Sequence, residues 1–186
     1  AKEISQEDFD KALQIAGDDR NIETISDLSP LQEGLLFESL LNPNSGVYVE
    51  VFAYSLKGGI DPSLFREAWL KIVDRYDILR TFFIWKDIPK PVLVTLKQAS
   101  LSFQNFDWRT VLPEDQTQKL TQLLKQKRFE DFDLSKAPLM DIAIIQTGED
   151  AWQFIWRHHH ILLDGWSAQT VLQEFFSIYE SLAANR

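Results

Sequence analysis

The chain has no cysteine among its 186 residues. That gap removes disulfides, thiolate metal sites and a cysteine nucleophile together, and it suits a cytoplasmic protein. Positive charge is also scarce, with 19 Lys and Arg against 28 Asp and Glu and a formal charge of −9. Phosphate binding needs a Lys/Arg-rich surface, so the acidic balance argues against nucleic acid as a partner. No uncharged apolar run approaches the roughly 18 residues of a membrane-spanning helix. Ala1-Lys2-Glu3-Ile4-Ser5 has no apolar segment of the kind a secretory signal carries. Seven Gly and seven Pro are too few for low-complexity or collagen-like structure. What is present is a chain 45% hydrophobic and 12% aromatic, too apolar for disorder and long enough to bury a core. Residues 1–186 are expected to form one domain, or one lobe of a larger protein.

Patterning alternates between helix and strand periods, with no internal repeat and no long linker. Ser5 to Ala16 reads as a short helix capped by Ser5, with Phe9, Ala12, Leu13 and Ala16 on one face. The polar stretch Asp18 to Asp27 reads as a loop. Ser29-Pro30-Leu31-Gln32 supplies a Ser cap, Pro at the first helical position and Gln three residues after the cap, predicting a helix to about Leu41. Val47 to Leu56 reads as a strand, and Asp61-Pro62 opens a helix with the stripe Phe65, Trp69, Ile72, Val73 and Tyr76. Strands are expected over Ile78 to Trp85 and Pro91 to Leu96, with an edge strand over Leu101 to Phe106. An amphipathic helix is expected over Pro113 to Arg128, with Leu120, Leu123 and Leu124 inward. Leu139 to Gln146 and Trp152 to His160 flank Thr147-Gly148-Glu149-Asp150 as a β-hairpin, and a last helix follows Gly165. The expected fold is α/β (α+β), a two-layer structure with a mixed β-sheet covered by helices.

All three histidines stand in one run, Arg157-His158-His159-His160-Ile161-Leu162-Leu163-Asp164-Gly165-Trp166-Ser167, where an apolar strand gives way to a helix. Rigid elements commonly present reactive side chains at such junctions. Three readings compete. His158 and His160 share a strand face at a spacing that can chelate Zn²⁺, yet no further His and no Cys exist to fill the coordination sphere. A structural reading has the histidines satisfying main-chain groups while Asp164 caps the next helix. An acid–base reading has a neutral imidazole taking a proton from an attacking amine or hydroxyl, with Gly165 permitting close backbone approach.

The spacing of His159-His160-Ile161-Leu162-Leu163-Asp164-Gly165, HHxxxDG, resembles the signature of the condensation domains of nonribosomal peptide synthetases. Those domains are similar in fold to chloramphenicol acetyltransferase. Three further segments fit the family in order. Leu28-Ser29-Pro30-Leu31-Gln32-Glu33-Gly34-Leu35-Leu36-Phe37 looks like its opening motif. Arg75-Tyr76-Asp77-Ile78-Leu79-Arg80-Thr81-Phe82 looks like its second, with Tyr76-Asp77 where His-Glu is more usual. Phe132-Asp133-Leu134-Ser135-Lys136-Ala137-Pro138-Leu139 also matches.

The resemblance implies an amide-forming acyltransferase in which an amine attacks a thioester carbonyl. Both substrates would ride on phosphopantetheine arms of upstream and downstream peptidyl carrier proteins, with no metal or soluble cofactor bound directly. His160, the second His of the motif, would be catalytic, deprotonating the acceptor or holding it and stabilising the tetrahedral intermediate. His159 would orient the turn, and His158, outside the motif, has no assigned role. Asp164 would pair with an arginine, either Arg80 or one outside this chain. Gly165 would allow close approach to the substrate tunnel, with Trp166 and Ser167 bordering it. Asp141 stands where the family often has Arg. The chain corresponds to the N-terminal lobe alone, so the C-terminal lobe and an adenylation neighbour would be further partners, and the isolated chain is expected to be inactive. Pro30-Leu31-Gln32-Glu33-Gly34 resembles the subtype that accepts a D-configured donor. Two alternatives remain, a catalytically silent carrier-docking lobe and a coenzyme A-dependent acyltransferase of the same superfamily.

Overall fold

The computed structural model describes residues 6–17 and 19–184. Helix α1 spans Gln6–Ala16, and its expected Ser5 cap lies outside the described residues. Strand β1 is Ile22–Asp27, followed by helix α2, Pro30–Leu41. Ser29 and Gln32 form a reciprocal capping box at α2, as their spacing predicts. Strand β2 is Val49–Lys57 and helix α3 is Pro62–Arg75, with the Asp61 carboxylate accepting from the Ser63 and Leu64 N–H groups. Strands β3 (Thr81–Ile84), β4 (Val92–Leu96) and β5 (Ser102–Asp107) precede helix α4, Pro113–Phe129. Strands β6 (Met140–Gly148) and β7 (Ala151–His159) form the expected hairpin, and helix α5 runs over Gly165–Ala184.

The strands divide into two sheets. Three form an antiparallel sheet in the order β1-β4-β3. The other four form a mixed sheet in the order β2-β7-β6-β5, with β5 parallel to β6 at one edge. Helices cover both faces of this mixed sheet. On one face Phe65 and Trp69 of α3 and Phe175 of α5 pack on Phe154 and Trp156. On the other, Leu120, Leu123 and Leu124 of α4 pack against Ala143, Ile145 and Ile155. Coverage on both sides explains why residues 140–145 are all buried and why β6 reads as a nearly continuous apolar run.

Two elements differ from expectation. The polar stretch Asp18–Asp27 reads as a loop, but Ile22–Asp27 is a strand paired with β4. A register irregularity between Ile22 and Thr24 lets Ile22 and Ile25, three apart, both face inward, so the two-residue alternation is absent. The strand expected from Ile78 begins only at Thr81, because Asp77–Arg80 forms a 3₁₀ turn closed by Leu79 N–H donating to Tyr76 O at 2.9 Å.

One glycine is dictated by packing. Gly46 precedes β2 at φ +66°, and a Cβ there would lie 2.6 Å from Arg128 O at the end of α4. Only glycine lets this loop pass so close.

Candidate active site

Strand β7 delivers the histidines to a tightly bonded turn. His159 N–H donates to Leu139 O at 3.0 Å, His160 N–H to Tyr48 O at 2.8 Å, and Leu162 N–H to His159 O at 3.1 Å. The main chain is thus fixed from both neighbouring strands' ends and within the turn itself, which leaves three adjacent imidazoles in three different settings.

His158 points into the core, between Phe52 and Trp156 with ring centroids at 5.8 and 4.8 Å. Its Nδ1 bonds His159 O at 3.2 Å, and its Nε2 is buried without a hydrogen-bond partner among the described residues. Burial lowers its pKa. His159 uses both ring nitrogens: Ile161 N–H donates to Nδ1 at 3.1 Å, and Nε2 lies 3.2 Å from Ser39 Oγ on α2. Burial, then the neighbouring His158 and His160, holds its pKa down to about 4. His159 is thus engaged at both ring nitrogens, one by the turn and one by α2.

His160 is half-buried and lies beyond the last strand residue, so it does not share a strand face with His158 as the spacing suggested. Its Nδ1 lies 2.9 Å from Leu163 O. A carbonyl oxygen can only accept, so Nδ1 carries the proton in this contact. In the neutral ring Nε2 is then the unprotonated nitrogen. Among the described residues, no cluster of three or more His, Cys, Asp or Glu could hold a metal ion.

Asp164 is exposed and caps α5. Its Oδ1 accepts from Ser167 N–H at 2.7 Å, and its carbonyl accepts from Ala168 N–H at 2.9 Å. The bonds from Ser167 hold its pKa below the usual carboxylate range. The expected Arg80–Asp164 pair does not form. Arg80 is buried elsewhere, ion-paired to Glu23 at 3.0 Å and Asp77 at 2.8 Å. It also donates to the carbonyls of Val73, Asp74 and Leu96, joining α3, the 3₁₀ turn and β4. Its chemistry is that of a tie between elements, with none of these partners in the histidine turn. Gly165 is likewise not required by close packing within the chain, since a Cβ there would have no atom within 4 Å. Trp166 at the head of α5 is 81% exposed, and Ser167 contributes its N–H to the Asp164 cap.

Two features were missed from sequence. The first is Ser39, beyond the last residue of the opening motif and 120 residues from His159. The second is an ion cluster just before the histidines. Asp141 and Arg157 are direct cross-strand partners, with Asp141 Oδ2 accepting from Arg157 Nε at 2.7 Å. Lys127 Nζ of α4 reaches Asp141 Oδ1 at 2.9 Å, and all three side chains are buried. Arg157 also donates to Lys127 O and Glu130 O at the end of α4 and lies 4.1 Å from the Phe132 ring centroid. Asp141 is therefore an internal counter-ion.

A cleft of about 220 Å³ opens beside His159, between the loop after α2 and the segment after α4, with Ser39, Tyr48, Trp85 and Phe132 in its wall. No helix among the described residues is long and apolar enough to cross a membrane.

The condensation-domain family profile matches residues 22–186. One of the proteins of the linear gramicidin synthase of Brevibacillus parabrevis is 38% identical over 183 residues, covering 98% of this chain and 4% of that protein. Surfactin synthase subunit 3 of Bacillus subtilis (strain 168) is 36% identical over 155 residues, covering 83% of this chain and 12% of that protein. Among solved structures, the starter condensation domain of rhizomide synthetase superposes with a TM-score of 0.77 at 23% identity, covering 88% of this chain and 40% of that one. A four-domain nonribosomal peptide synthetase bound to AMP and glycine gives 0.74 at 23% identity, covering 85% of this chain and 12% of that one. The fold is thus the chloramphenicol acetyltransferase-like fold of these domains, and the chain belongs to the condensation-domain family of nonribosomal peptide synthetases.

Proposed function

We propose that this chain is the N-terminal, histidine-bearing lobe of a condensation domain that joins two carrier-bound acyl units, with His160 as its catalytic residue. The observation that carries the reading is the His160 Nδ1 contact with Leu163 O at 2.9 Å, which leaves Nε2 as the hydrogen-bond acceptor. In the reaction an acceptor amine attacks a thioester carbonyl, the C–N bond forms, the C–S bond breaks, and the pantetheine thiol leaves. The proton lost by the amine must reach the departing sulfur. A neutral imidazole whose Nδ1 is anchored can accept that proton at Nε2 and return it to the thiolate, acting as base and then acid. The Nδ1 bond to Leu163 O also stabilises the imidazolium formed in between.

In this reading His159 shapes the turn and Asp164 fixes the start of α5. Gly165, Trp166 and Ser167 line the path to the second lobe. Arg80 stays a structural tie away from the site. The donor and acceptor arrive on phosphopantetheine arms of upstream and downstream peptidyl carrier proteins, next to an adenylation domain. The likeness to the gramicidin and surfactin synthases supports that setting. The chain covers 40% of the rhizomide condensation domain, so the 186 residues alone are expected to form no amide: half of a two-lobed cleft cannot hold both reactants in attack geometry.

The test is single-turnover condensation by the complete two-lobed domain with both carriers loaded. His160→Ala should slow amide formation by roughly 10²–10⁴-fold, with carrier affinity and melting temperature unchanged. A folded His160→Ala domain that condenses at the wild-type rate removes His160 from the chemistry.

A further inference from the structure

Ser39 lies outside the four motifs, yet its contacts determine a protonation pattern at the active-site turn. Its Oγ is 2.7 Å from Leu35 O and 3.2 Å from His159 Nε2. A serine hydroxyl has one proton, and a carbonyl can only accept, so that proton goes to Leu35 O. Oγ therefore meets His159 as an acceptor, and Nε2 must carry a hydrogen. On the opposite side of the ring, Ile161 N–H donates to Nδ1 at 3.1 Å, which requires Nδ1 to be unprotonated. The two constraints come from different parts of the chain and agree on one neutral tautomer.

We propose that Ser39 is a positioning residue for the reaction, acting through His159. It locks His159 as the Nε2–H tautomer, which keeps Nδ1 free to receive Ile161 N–H. That bond, with Leu162 N–H donating to His159 O, fixes the turn from which His160 projects. Helix α2 thereby sets the direction of His160 without touching a substrate. The role in catalysis rests on the proposed function of His160; the tautomer lock does not.

The test compares Ser39→Thr, which keeps the hydroxyl, with Ser39→Val, which has nearly the same shape as threonine without it. Ser39→Ala serves if valine prevents folding. In ¹⁵N-histidine-labelled 186-residue chain, wild type and Ser39→Thr should show His159 protonated at Nε2 only, and Ser39→Val should show a mixture of ring states. In the complete domain, Ser39→Val should lower the single-turnover rate by roughly 10–100-fold with unchanged carrier affinity, as expected for a displaced catalytic group, and Ser39→Thr should restore it. An unchanged His159 tautomer in Ser39→Val overturns the lock. A shifted tautomer with a wild-type rate overturns the positioning role. If His160→Ala leaves condensation intact, the active-site reading fails separately, and the His159 spectrum still decides whether Ser39 sets its ring.

Discussion

The ion cluster that joins β6, β7 and α4 and the turn that follows β7 solve the same problem in opposite ways. Arg157, Asp141 and Lys127 bring three buried charges together between the mixed sheet and α4, where Asp141 meets both cations and Arg157 also donates to main-chain carbonyls. In the turn His159, His160 and Asp164 are polar beside the buried Ile161, Leu162 and Leu163, but their hydrogen bonds run mainly to main-chain groups and to Ser39, and Asp164 is exposed. In the ion cluster each charged side chain is engaged by an opposite charge. The turn is well bonded too, and at His160 one ring nitrogen is held by Leu163 O, which leaves the other as an acceptor. Rigidity beside an unfilled acceptor is what proton transfer in a defined geometry requires.

Breaking the cluster should have the largest effect on stability. Asp141→Ala would leave two buried cations facing each other without their shared counter-ion. The expected loss is about 3–5 kcal/mol, read by urea denaturation of the chain. A loss below about 1 kcal/mol would show that water reaches this cluster and that it resembles a surface ion pair.

The turn should respond to pH through its buried imidazoles. His159 has a folded-state pKa of about 4 against an ordinary 6.5, because its burial disfavours the charged ring. A depressed value means the unfolded chain binds the proton first. The stabilisation is complete above pH 6.5 and is lost as pH falls towards 4, by about 3 kcal/mol at most. His158, also lowered by burial, acts in the same direction. His159→Gln, unable to take a proton, should therefore flatten but not abolish the decline in the urea midpoint between about pH 7 and pH 4.5. An unaltered slope would place the acid sensitivity elsewhere.

The smallest effect is expected at Asp164. With no arginine partner among the described residues, Asp164→Ala removes an exposed helix cap and should lower the melting temperature only slightly, far less than Asp141→Ala. A loss as large as that at Asp141 would contradict a capping role.

Much of this architecture is legible in the residues themselves. The Ser29–Gln32 box, the Asp61-Pro62 start and the stripe of α3 are local signals, and local physics decides them. The histidine turn is legible as a strand–helix junction for the same reason, including the cap at Asp164. Features that depend on register are not. A tight hairpin closing at Gly148 and Ala151 would, counted without irregularity, set Asp141 opposite His158; the register shift between Gln146 and Gly148 brings Arg157 there instead. The same kind of shift hides β1, whose inward residues are three apart. Arg80 sits in a family-like motif, but its partners Glu23 and Leu96 O come from other strands, so the Asp164 assignment could not be corrected from spacing. Ser39 lacks any local mark because its meaning comes from a contact 120 residues away.

The measurement that bears most directly on the account is the ring protonation of His159 and His160 in one ¹⁵N-histidine spectrum of the wild-type chain, with both rings neutral. Adjacent histidines are predicted to hold opposite tautomers, His159 with its hydrogen on Nε2 and His160 with its hydrogen on Nδ1. His160 found with hydrogen on Nε2 would mean that the nitrogen assigned to receive the proton is already occupied, and the proposed chemistry would fail.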